Sequence, residues 1–183
     1  MFIQTENTPN PQALKFIPGV PVLETGTATF ADAKAAKNSP LAEALFSIPE
    51  VRGIYLGADF ITVTKSVESE WNLLKPSLLS IIMDHFVSGK PVILNTDNAV
   101  ESSGGGDSEI VNQIKELIET RVRPAVAQDG GDIVFRGFDD GIVKLELHGS
   151  CSGCPSSTAT LKNGIENMLK HYVPEVVGVE AVQ

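Results

Sequence analysis

Cysteine is scarce in this chain, two among 183 residues, and so are histidine, with three, and tryptophan, with one. Two cysteines cannot build the disulfide framework of a small secreted domain, so the chain reads as a protein of a reducing compartment. Basic charge is also short, with 14 Lys and Arg against 23 Asp and Glu, a formal net charge of -9. That balance disfavours nucleic acid or an anionic membrane surface as the main partner, because both are polyanions. No run approaches the roughly 18 apolar residues of a membrane span, and Met1 to Glu6 lacks a basic stretch followed by an apolar one. The expected location is the bacterial cytoplasm, or a mitochondrial matrix if the chain is a processed eukaryotic form.

What remains is ordinary globular composition, 42% hydrophobic and 20% charged, enough to bury a core. The fold class expected is α+β: two small α/β-layer domains joined by a flexible linker. Residues 1–94 form the first domain. Phe2 to Thr5 and Ala13 to Ile17 read as strands around the turn Thr8-Pro9-Asn10-Pro11, and Thr27 to Phe30 as a third, which predicts a β meander. Ser39 before Pro40, with Leu41, Ala44, Leu45 and Ile48, predicts a short capped helix. Val51 to Leu56 and Phe60 to Thr64 flank a Gly-containing hairpin turn. Trp71, Leu74, Leu78, Ile81, Ile82 and Phe86 recur at helical spacing, with Pro76 expected in the first turn and Gly89 beyond the end.

Residues 95–107 lose all apolar periodicity and gain Gly, Ser and acid, so they read as the linker. Residues 108–183 predict a second domain ordered α-β-β-α-β. Ser108 would cap a helix with Ile110, Val111, Ile114, Leu117, Ile118 and Val122 on one face, supported by the Glu119 and Arg123 pair. Pro124 would kink that helix or mark its last turns. A hairpin through Asp139-Asp140-Gly141 joins strands Asp132 to Phe138 and Ile142 to His148. A helix from Pro155 buries Leu161, Ile165, Met168, Leu169 and Tyr172, and Val176 to Val182 is a last strand.

Both cysteines lie between the strand Ile142 to His148 and the helix from Pro155, in Gly149-Ser150-Cys151-Ser152-Gly153-Cys154-Pro155. A Cys-x-x-Cys can be an iron-sulfur ligand pair, half a zinc site, a redox dithiol or two inert buried thiols; spacing alone does not choose. The strand-to-helix setting favours thiolates, because orphan N–H groups and the helix dipole lower a thiol pKa there. Small neighbours make the loop look open and able to approach a bulky group. A cluster or closed zinc site takes about four protein ligands, so a chain with two thiols would need a second copy. The redox reading ranks second, since it expects a βαβ unit and the strand before the motif is read as half of a hairpin. Zinc shared between copies would use the same thiols.

The other chemistry-bearing residues have plainer readings. His148 falls with Lys144 and Glu146 on the polar side of its strand and reads as solvated. His85 and His171 read as surface or capping residues. Asp129 and Asp132 flank glycines and suit turn geometry. Gly104-Gly105-Gly106 lacks the Lys-Ser/Thr of a phosphate loop. Trp71, Phe86, Phe16 and Phe60 read as packing.

Leu147 to Pro155, preceded by Arg123-Pro124 and Asp129-Gly130-Gly131-Asp132, resembles the C-terminal domain of NifU-type iron-sulfur scaffold proteins. Thr8 to Pro11, Ala13 to Phe16, Trp71, Leu74-Lys75-Pro76 and Asp84-His85-Phe86 resemble the N-terminal domain of the Nfu branch. The resemblance implies a non-enzymatic scaffold or carrier in which Cys151 and Cys154 of two copies hold a [4Fe-4S] cluster, with [2Fe-2S] or zinc as alternatives. It further implies a homodimer when loaded, upstream cluster assembly proteins as donors and apo-proteins as recipients, with the first domain serving partner recognition. The assembly domain with further cysteines found in full-length NifU is missing, which favours transfer over assembly. The alternative function is a thiol-disulfide oxidoreductase using the same pair.

Overall fold

The computed structural model describes residues 2–94, 109–152 and 155–182 of the chain. The expected linker, the Ser108 cap, the triple glycine and Cys154 lie outside the described residues. The chain divides into two compact units, Met1–Glu101 and Ser102–Gln183, and helices and strands mix in both, an α+β architecture.

In the first unit, β1 (Gln4–Asn7) and β2 (Ala13–Ile17) form a hairpin. Its turn is held by the buried Asn10, whose Oδ1 accepts the Gln12 N–H at 3.0 Å. β3 (Ala28–Phe30), β4 (Val51–Leu56) and β5 (Ile61–Lys65) complete the sheet. Its order β1-β2-β5-β4-β3 is not the expected meander. β5 inserts beside β2, in register from Ala13 opposite Thr64 to Phe16 opposite Ile61, and β3 is sent to the far edge. Alternation explains the choice: Leu14, Phe16, Ile61, Val63, Ile54 and Leu56 all fall on one face and join one core cluster.

Helix α1 (Pro40–Phe46) begins as the sequence predicts, with Ser39 Oγ accepting the Ala42 N–H at 3.2 Å. The same hydroxyl donates to the Val92 carbonyl at 2.6 Å, so one buried side chain caps the helix and ties down the chain around Val92. Helix α2 (Trp71–Val87) starts five residues before Pro76, earlier than expected. Proline there forfeits the bond to the carbonyl of Asn72, which sits in the exposed first turn where water can replace it. The early start is secured by Trp71, whose Nε1 donates to the Pro11 carbonyl at 3.0 Å, and by the buried Leu74.

In the second unit, α3 (Glu109–Leu117), a π-helical turn (Ile118–Val122) and α4 (Arg123–Gln128) run consecutively. Pro124 marks the last turns of this segment, as expected, and stands at the start of α4. Lacking an N–H, it cannot donate to the preceding turn, and the chain widens to a π turn just before it. The widening keeps Ile114, Ile118, Val122 and Val126 in one core cluster.

Strands β6 (Gly131–Asp139) and β7 (Ile142–Gly149) form the expected hairpin. Its turn residues Asp140 and Gly141 have φ of 47° and 79°, the left-handed pair of a type I′ turn. Helix α5 (Pro155–Tyr172) leads to β8 (Gly178–Val182), which pairs with β7 in parallel. Strand, motif, helix and strand therefore do form a βαβ unit, so topology does not set the motif apart from a redox one. Tyr172 departs from its expected buried face: it is exposed, with the Arg121 guanidinium 5.0 Å from its ring, and Val173 and Val176 close the core instead.

Replacing Ser39 by Ala removes the cap of α1 and leaves the Val92 carbonyl without its donor. The expected cost is about 2 kcal/mol, read as a lowered midpoint with unchanged slope in urea unfolding of the full chain.

Candidate functional site

Cys151 sits just beyond the end of β7, four residues before α5. Gly149 turns the chain with φ of 63°, and the Ser152 N–H and hydroxyl both return to the Gly149 carbonyl, at 3.2 and 2.9 Å. The loop is fastened to the segment between α4 and β6 as well. Ser150 N–H donates to the Gly130 carbonyl at 3.2 Å, and its hydroxyl makes a short bond to the Asp129 carbonyl. From the other side, the Thr158 hydroxyl of α5 reaches the Cys151 carbonyl at 3.2 Å.

These ties press Cys151 against Gly131. A Cβ at Gly131 would stand 2.3 Å from Sγ and 3.1 Å from the His148 carbonyl, so residue 131 must be bare. Cys151 is 7% exposed and belongs to the core cluster that includes Ile165 and Val143. The expectation of an open, thiolate-favouring site is corrected at this residue. Burial pushes the Cys151 thiol up to about 11, with the carboxylates of Asp129 and Asp132 adding to the rise and Ser150 pulling it back. Cys151 lies ahead of Pro155 rather than on the first turn of α5, and its surroundings are apolar and acidic.

Asp132 is fixed from two directions. Its carboxylate receives Nε and Nη2 of Arg123 at 2.8 and 3.1 Å and the Ile133 N–H at 2.8 Å. Arg123 also holds Glu119 one turn back, at 2.8 Å. Between two carboxylates its guanidinium is held above the ordinary range, chiefly by the bond to Asp132. Asp129 ends α4 as its C-cap, as expected, but Asp132 is not a turn residue: it is buried in β6 opposite His148, and its tie to Arg123 is one that the sequence reading missed.

The histidines divide. His148 is not solvated: it is largely buried, and its Nε2 lies 3.3 Å from a Glu146 oxygen, which in turn meets Arg136. His85 is neither surface nor cap. It is buried in the last turn of α2, its Nε2 has no hydrogen-bond partner among the described residues, and burial followed by the charge of Lys90 lowers its pKa. His171 is exposed, edge-on to Tyr172. Of the aromatics, Phe16 is in the core with Trp71 and Phe86 at its margin, while Phe60 packs on Tyr55 with Lys15 Nζ 5.0 Å from its ring. Among the described residues no three His, Cys, Asp or Glu side chains gather at metal-binding distance.

The fold is thus one of two small α+β units, with the chain's thiol chemistry confined to the second. Residues 3–89 match the family described as the scaffold protein Nfu/NifU N-terminal domain, and residues 114–180 match the NifU-like domain. The chain is 56% identical over 183 residues to the human "NFU1 iron-sulfur cluster scaffold homolog, mitochondrial", covering all of this chain and 72% of that one. It is 53% identical over 188 residues to "NifU-like protein 5, mitochondrial" of Arabidopsis thaliana, covering 98% of this chain and 67% of that one. A solution structure of a NifU-like protein from Saccharomyces cerevisiae aligns with 51% of this chain and 84% of its own at 27% identity and a TM-score of 0.47. The chain belongs to the Nfu/NifU family of iron-sulfur cluster scaffold proteins.

Two outcomes test this geometry. Gly131→Ala should cost about 1 to 3 kcal/mol by overpacking, and less in a Cys151→Ala background, where Sγ no longer opposes the new methyl; equal costs in the two backgrounds would refute the contact. In the metal-free chain, peptide mapping after iodoacetamide treatment should show Cys151 alkylated roughly a hundredfold more slowly at neutral pH than a free thiol. The raised pKa sets the sign, with the rate climbing as pH approaches about 11.

Proposed function

We propose that Cys151 and Cys154 of two copies together hold an iron-sulfur cluster, of the [4Fe-4S] type, and that the chain passes this cargo to apo-proteins. The observation that carries the reading is the ligand count. The chain has two cysteines, and the described residues offer no third metal-binding side chain beside Cys151. Four thiolates therefore require two copies. A [2Fe-2S] cluster or zinc would draw on the same four. The relatives' names as cluster scaffolds support the cargo, and their designation as mitochondrial favours a mitochondrial matrix over a bacterial cytoplasm for this chain.

Loading has a structural requirement. Cys151 Sγ must leave its place beside Gly131 and turn outward, while the bonds of Ser150 to Asp129 and Gly130 can keep the loop attached at its base. Transfer then proceeds by ligand exchange. A recipient thiol loses its proton as its sulfur binds iron; the Cys151 or Cys154 thiolate leaves and takes up a proton, with no net oxidation. The division at 95–107 would let the first domain bind donors or recipients and raise their effective concentration at the second.

The βαβ unit around the motif favours the oxidoreductase reading on topology. The burial of Cys151 counts against it, because an attacking thiolate must be accessible and ionised.

Anaerobic reconstitution with iron and sulfide is the test. The expected product is a brown dimer with about four irons and four sulfides per two chains. Cys151→Ser and Cys154→Ser should each abolish it while leaving the circular dichroism of the metal-free chain unchanged. A colourless monomer that reduces disulfides would overturn the reading in favour of the redox one.

A further inference from the structure

His85 is a buried titratable group with no part in the candidate site. It lies in the last turn of α2, 6% exposed and edge-on to Phe86, with ring centroids 5.6 Å apart. Its Nε2 has no hydrogen-bond partner among the described residues. Such a ring is tolerable while neutral. A second proton would put both a charge and a new donor at a buried atom with no acceptor among the described residues.

The chain beyond the helix lies against this ring. It turns at Gly89, whose φ is 66°, and residues 88–94 then run as a strap held by a few separate ties. The Ser88 N–H returns to the Asp84 carbonyl at 3.0 Å, and the Lys90 main chain bonds to the His85 ring. Further on, the Val92 carbonyl accepts the Ser39 hydroxyl at 2.6 Å and the Leu94 N–H donates to the Asn38 carbonyl at 2.7 Å. Pro91 has no N–H to give, so His85 supports the middle of the strap. Val92 and Ile93 are half-buried, and residues 89–93 wall one side of a cavity of about 960 Å³ whose other side is residues 21–30.

The charges around the ring act with its burial. After burial itself, the Lys90 ammonium is what most disfavours a charged ring, and the Lys90 carbonyl opposes both more weakly. Asp84 on the same helix, Glu43 on the neighbouring α1, and Lys34 and Lys37 around the short turn Ala35–Asn38 are all exposed. Lys65, buried in β5, stands over Trp71 at the opposite end of α2.

We propose that residues 88–94 form a strap latched on the neutral His85 ring, and that protonation of His85 releases this strap while the rest of the first unit stays folded. In the latched state the ring resists a proton; once released into water it takes the ordinary value of about 6.5. The released state therefore binds more protons. The latch is fully kept above about pH 6.5 and weakens below it, by up to tenfold per pH unit until the lowered value of the latched ring is reached. Release uncovers Val92 and Ile93 and opens one wall of the cavity.

The test is residue-resolved hydrogen exchange by NMR on the full, metal-free, reduced chain from about pH 7.5 to about pH 5, read as protection factors so that the intrinsic pH dependence of exchange cancels. The Leu94 amide should lose protection by roughly tenfold per pH unit below about 6.5, while Val63, at the centre of the first sheet, keeps its own. His85→Gln cannot titrate, so its Leu94 protection should be the same across the range. Lys90→Met, an exposed change that leaves the fold intact, removes the ammonium that disfavours the charged ring. It should flatten the pH dependence and leave protection at the upper end of the range unchanged. Leu94 protection that does not vary with pH, a loss shared equally by Val63, a folded His85→Gln chain that still shows the loss, or a Lys90→Met chain with the wild-type pH dependence would each overturn the inference. Because no iron is present, none of these outcomes bears on the cluster reading.

Discussion

The second unit depends on the close contact between two loops, Asp129 to Asp132 and Gly149 to Ser152. Each ends a stretch of regular structure whose last polar groups need partners, and they supply one another: Ser150 takes up the carbonyls of Asp129 and Gly130. The approach is close enough that residue 131 can carry no side chain, and the space so made is filled by the Cys151 thiol. Arg123 fixes the same junction from the helix side by gripping Asp132. Its placement follows from the π turn that Pro124 imposes, since in a helical segment one residue of extra winding rotates every later side chain by about 100°. Proline, arginine, aspartate, glycine and cysteine thus form one mechanical chain. Disturbing any member displaces the thiol.

Local grammar made most of the fold legible. The Ser39-Pro40 cap, the Asp140-Gly141 turn and the strand pairs around each turn needed only neighbours in sequence, and each is found where that grammar puts it. Sheet order was not legible, because the position of β5 beside β2 is decided by which apolar faces can share one core, and alternation in a single strand does not reveal its neighbour. Pro76 misled for a related reason. A proline inside a helix loses one hydrogen bond and crowds the carbonyl four residues back, and here the Trp71 anchor to Pro11 and the buried Leu74 hold the turn before it in place.

At the candidate site the residue types were legible and their environment was not. The motif announces thiols between a strand and a helix, and the structure puts Cys151 there. That its thiol would be inside the core, rather than on an open loop, depends on Gly131, twenty positions upstream and adjacent only through the hairpin register that sets Gly131 opposite Gly149. His85 and His148 were misjudged in the same way. Helical and strand periodicity place a side chain on a face but do not say what covers that face, and both rings turn out to be largely enclosed.

Burial of Cys151 bears on whether such a thiol can serve a carrier at all. Moving one small, weakly polar side chain from core to surface costs on the order of 1 to 2 kcal/mol. Structural metal sites built on thiolates recover roughly 10 kcal/mol or more at neutral pH. The cost is therefore too small to prevent loading and large enough to matter on the way out. On the proposed reading, each of two copies that returns its thiol to the pocket beside Gly131 would contribute a factor of about ten in favour of the empty state. The acidic pair Asp129 and Asp132 acts in the same direction, since both disfavour a free thiolate in that pocket. A permanent iron-sulfur protein would gain nothing from such a bias. In a carrier of the kind proposed it would work on the step that must be favourable, release of the cargo.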